Sequence, residues 1–135
     1  MNTITDSTKI QLAAACILLS VADADEMLES QEIDTINAIL QDFFTLDETA
    51  ANSLMEKAKN KWQNSTGLFQ FGNQLNDDFN HDDKMDFISC VFEVAYADGK
   101  LHYLEHHAVK KIANILHLEK NELISAKAEI ENYLD

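Results

Sequence analysis

Two pairs of carboxylates stand at the same spacing in this chain. Asp25 is followed seven residues later by Glu32, and Asp98 seven residues later by Glu105. Each aspartate falls where one apolar helical pattern ends, and each glutamate in the first turn of the next. Packing an apolar face requires no carboxylate at either place. If the two pairs face each other, they pool four hard oxygen ligands, and Asp23 adds a fifth. Such a set suits Ca²⁺, Mg²⁺ or Mn²⁺, with water completing the shell. Carboxylates at a helix start also satisfy free N–H groups and favour the dipole. The residues by themselves leave both readings open.

Two sharper motifs fail. Set on a calcium loop, Asp98, Gly99, Leu101 and Glu105 fit positions 5, 6, 8 and 12, but positions 1 and 3 fall on Val94 and Tyr96. In the other pair, Val21 and Asp23 take those positions and Glu26 stands where the turn glycine belongs. An ordinary EF-hand is excluded, because six to eight oxygens cannot be assembled from either loop. His102, Glu105 and His106 spell H-x-x-E-H, a zinc-peptidase spacing. Glu105, however, is matched by Glu32 in a segment that carries Glu29 and Ile33 at the histidine positions. No catalytic residue is assigned, and a non-enzymatic chain is expected. The three glycines are too scattered for a phosphate loop, so no organic cofactor is expected either.

The carboxylates recur because the chain resembles itself at an offset of 73 residues. Residues 21–44 fall on 94–117 with seven identities in 24 positions: Val21/Val94, Ala22/Ala95, Ala24/Ala97, Asp25/Asp98, Leu28/Leu101, Glu32/Glu105 and Ile39/Ile112. Chance gives about one or two. The copies span approximately 8–46 and 81–118, each a helix, a short loop and a second helix. Ile10, Ala14, Ile17, Leu18 and Val21 step by three and four, as one buried helical face requires. Ile33, Ile36, Leu40 and Phe43 do the same, as do Phe87, Val91 and Val94, and then Val109, Ile112 and Leu116. Asp6 and Asn80 are the expected N-caps of the leading helices. Between the copies, Asp47 opens a helix with Leu54 and Ala58 inward, and a shorter helix holds Leu68, Phe71 and Leu75 on one side. The Phe-rich stretch "GLFQFGNQL" is assigned to the core. A last helix carries Leu123, Ala126, Ile130 and Tyr133 or Leu134. About seven helices result, an all-α single bundle with a pseudo-two-fold repeat.

Composition agrees with that class. The chain has 135 residues, the size of one core, with no proline and three glycines. Acids outnumber bases 24 to 10, a net charge of −14. Nucleic acid and anionic membrane surfaces both need a basic footprint and are excluded as partners. Cations and a protein partner with a basic surface remain. Cys16 and Cys90 lie in apolar runs and read as reduced core thiols. The longest apolar run, "LAAACILLSVA", is too short to span a bilayer and lacks a basic lead, so neither membrane insertion nor a secretory signal is expected. A cytoplasmic location follows.

The doubled pattern "ADAD…E…I" and "AYADGKLHYLE…VKKIANIL", with "FQFGNQLNDDF" before the second copy, resembles the TerB-like family, named after a bacterial tellurite-resistance protein and found also at the front of a membrane-anchored J-domain co-chaperone. The resemblance covers about residues 8–134, and makes residues 1–135 one TerB-like helical domain. It implies a bundle of about seven helices, a bacterial stress or envelope context, and metal binding by acidic loop residues, which carries over to Asp25, Glu32, Asp98 and Glu105. Glu26 departs from the family's loop glycine. The expected function is a cation-responsive or scaffold module. The alternative is a metal-free interaction module whose acidic surface meets a basic partner.

Overall fold

The computed structural model describes the backbone of residues 3–24, 30–65, 67–97, 101 and 103–134, with side chains from residue 8 through 133 of these. Seven helices and no strand occur among the described residues: α1 (Thr3–Ala22), α2 (Ser30–Phe43), α3 (Glu48–Gln63), α4 (Phe69–Asp78), α5 (His81–Ala95), α6 (Tyr103–Ile115) and α7 (Lys120–Leu134).

α1 is the axis of the bundle. Ala13 through Leu19, then Val21 and Ala22, are all buried, so the helix has no solvent face along this stretch. The expectation of a single buried face is corrected here. α2, α3, α4, α5 and α6 all pack on α1, and a helix enclosed on every side is apolar all round. Alanines at 13, 14, 15 and 22 keep the enclosing helices close. Ser20, buried within the same run, is satisfied locally by donating its hydroxyl to the Ile17 carbonyl at 2.5 Å. α1 also starts at Thr3, which puts Asp6 inside the helix and not at its cap.

The other caps follow the sequence. Asp47 accepts from the Ala50 N–H at the start of α3. Asn80 and Asp83 form a reciprocal capping box at the start of α5. α2 and α6 end alike: Thr45 (φ 56°) and His117 (φ 63°) are left-handed, and the next residue donates its N–H back, Leu46 to Gln41 and Leu118 to Ala113, both at 2.9 Å. These are Schellman closures made without glycine. They turn the chain into α3 and α7, which start 72 residues apart, at Glu48 and Lys120. Leu54 and Ala126, and Ala58 and Ile130, are buried at that same offset. At this offset these two pairs of α3 and α7 residues match in burial and not in identity.

Phe43, Phe79 and Phe87 stack with ring centroids 5.7–5.9 Å apart and join α2, α5 and the α4–α5 connection. At α7, Ala126 and Ile130 face inward as expected, whereas Tyr133 is exposed.

Candidate functional site

Glu32 and Glu105 occupy the third position of α2 and α6, respectively. In both helices this is the N-terminal end of the core-facing stripe: Glu32 precedes Ile36, Ile39 and Leu40, and Glu105 precedes Val109, Ile112 and Ala113, all buried. The carboxylates themselves are 4% and 1% exposed, respectively, so both are core residues in spite of their charge. Burying a carboxylate costs several kcal/mol unless opposite charge, hydrogen bonds or a metal compensate it. Neither glutamate is without a partner. Each also lies at the positive end of its helix dipole.

Asp23 follows α1, is partly buried, and accepts a hydrogen bond from the Trp62 indole N–H at 3.4 Å. It thereby ties the end of α1 to α3. Tyr96, which the 73-residue offset matches to Asp23, follows α5 and donates its hydroxyl to Glu131 of α7 at 2.7 Å. Burial and that bond push the Tyr96 phenol up to about 12. In each half, therefore, the residue entering the acidic loop is fastened to the third helix. Sequence identity gave no sign of this, because the two tethers use different residue types.

Asp25, Asp98 and His102 lie outside the described residues. Among the described residues, no group of three or more His, Cys, Asp or Glu is placed to hold a metal. The donors described, Glu32, Glu105 and Asp23, are hard oxygens of the kind that Ca²⁺, Mg²⁺ and Mn²⁺ take.

Burial rules out Glu105 as the general base of the H-x-x-E-H reading. Glu105 faces the core, whereas His106 is half-buried and His107 exposed. A general base must reach substrate, and Glu105 does not. Burial and the positive charges of Lys127 and Lys110 hold His106 below the usual histidine range. The thiols are no better suited to chemistry. Burial pushes Cys16 up to about 11 and, with Glu93, Asp86 and Asp42 adding to it, Cys90 up to about 12. Both cysteines are free. No helix among the described residues is long and apolar enough to cross a membrane.

No curated protein and no solved structure matches the chain. A family model described as tellurite resistance protein TerB matches residues 11–128, from within α1 to within α7, and the chain belongs to the TerB family.

Proposed function

We propose that this TerB-family chain is a non-enzymatic module of the bacterial stress, tellurite-resistance type that responds to a divalent cation at its two acidic loops. The observation that carries the reading is the burial of Glu32 and Glu105 at the same register of α2 and α6. Asp25, Glu32, Asp98 and Glu105 hold the ion, with Asp23 beside them. Bound ion then fixes the angle between the α1–α2 and α5–α6 pairs, and the altered surface is what a partner reads. Ca²⁺, Mg²⁺ and Mn²⁺ are the candidates from ligand hardness.

Thermal unfolding at constant ionic strength, with each of these ions and Zn²⁺, tests it. The expected result is a saturable rise with at least one of the three hard ions. The rise should vanish in Asp25→Asn/Asp98→Asn, a pair of loop substitutions that leaves the buried glutamates in place. An unchanged midpoint with all three ions sinks the proposal, as does a rise that survives in the double variant.

A second reading rests on a different face. Asp77, Asp78, Asp82, Asp83 and Asp86 bracket the α4–α5 turn, and four of the five are exposed. Asp77 and Asp78 end α4, where negative charge opposes the dipole and no basic residue offsets it. Charge kept where it costs stability favours a basic protein partner at this turn. Capture of such a partner would weaken with salt and ignore added cations.

A further inference from the structure

Among the described residues, a stretch free of acidic side chains lies between α4 and the end of α6. A groove of about 610 Å³ opens there, lined by Phe69, Gln70, Asn73, Lys111, Asn114 and His117, with Ile115 and Leu68 at its base. No carboxylate occurs among its described lining residues, in a chain where acids outnumber bases 24 to 10. Its two ionisable side chains, Lys111 and His117, are both basic. Phe69 stands 68% exposed beside them, although its neighbours Leu68 and Phe71 are core residues. The assignment of "GLFQFGNQL" to the core is therefore corrected at Phe69, which its helical position turns away from Phe71.

We infer that this groove docks an acidic peptide segment of a partner protein, with one large apolar side chain of that segment covering Phe69. Charge selects the occupant. Lys111 attracts a carboxylate with none in the described lining to oppose it, and a single lysine is too small a basic footprint for nucleic acid. The three amides, Gln70, Asn73 and Asn114, supply both donors and acceptors, as an extended peptide backbone demands. Phe69 supplies the apolar anchor, an exposed aromatic ring in a groove otherwise rimmed by polar side chains.

The groove is also preformed, which lowers the ordering cost of binding. Gly72 lets α4 lie directly on Ile115. Asn76 donates its side-chain N–H to the Ile115 carbonyl at 2.8 Å, and the left-handed His117 closes α6 at the groove's edge. This site is separate from the acidic loops and needs no cation.

The test uses the full chain, ¹⁵N-labelled, in buffer with EDTA. The probes are a panel of capped synthetic pentapeptides alternating glutamate with leucine or phenylalanine, and the same peptides with lysine for glutamate. The acidic set should give saturable shifts centred on Phe69, Gln70, Asn73, Lys111 and Asn114. Lys111→Glu and Phe69→Ser should each weaken binding at least tenfold with an unchanged melting temperature, since both side chains are at the surface. Failure of every acidic peptide to shift these amides overturns the inference, as does equal binding by the lysine peptides. Matching shifts from glutarate alone also overturn it, because the groove would then be a small-carboxylate site.

Discussion

Gly72 of α4 and Ile115 of α6 meet with no room for a methyl group: a Cβ built on Gly72 would sit 2.1 Å from Ile115 Cγ2. The glycine weakens its own helix by about 1 kcal/mol relative to alanine, and the close approach is what it gains. Gly72→Ala should therefore destabilise in spite of the better helix former, by about 1–2 kcal/mol net. Gly72→Ala in an Ile115→Ala background, where Cγ2 is gone, should be neutral or stabilising. Chemical denaturation of the four proteins measures the coupling. Equal effects in both backgrounds would show that the contact does not constrain α4.

Thr45, like His117, carries a different backbone compromise. A β-branched residue at φ 56° bears the left-handed penalty that glycine escapes. Thr45→Gly should raise stability by about 1 kcal/mol, or a few degrees in melting temperature. A loss of stability on that substitution would mean that the threonine side chain contributes more than its backbone costs.

The thiols should be silent in the folded protein. With Cys16 near 11 and Cys90 near 12, almost no thiolate exists at pH 8. Alkylation by iodoacetamide should run at least roughly a hundredfold slower than at a free thiol. It should become fast only in denaturant. Rapid native labelling of Cys90, the less buried of the two, would contradict the assigned environment.

Glu93 and Asp42 line a second groove, between α2 and α5, and oppose each other there. Partial burial, then the Asp42 charge, raises the Glu93 carboxyl above its usual range. A carboxyl raised in the folded state imposes a penalty that is full above the folded value and disappears below the unfolded one. Glu93→Gln should thus stabilise at pH 7 by a few tenths of a kcal/mol, about a degree or two. That gain should shrink as the pH falls through the carboxylate range. A gain independent of pH would point to packing and not charge.

Local chemistry was the legible part of this fold. Asp47 and Asn80 announce their helices because a cap acts within three residues, and Leu54, Ala58, Phe71 and Leu75 face inward because period alone places them. The repeat singled out Glu32 and Glu105, yet spacing does not reveal that a carboxylate is buried. The enclosure of α1 was hidden for a similar reason. A run such as "AAACILLSVA" reports hydrophobicity, not the number of helices around it. The tethers Asp23–Trp62 and Tyr96–Glu131 join residues 39 and 35 positions apart, beyond any local pattern. Phe69 was misassigned because three apolar residues in four look like core until the helix phase is fixed.

The enclosure of α1 has a consequence for biosynthesis. α1 is made before the helices that cover it, and two of these, α5 and α6, follow the other three. Until α5 and α6 are made, this apolar helix is covered by only three of its five neighbours, a state that invites aggregation or chaperone capture. Its completion waits on the second half of the chain. Nascent chains stalled before α5 should accordingly remain protease-sensitive in α1, and protection should arrive once α6 has cleared the exit tunnel.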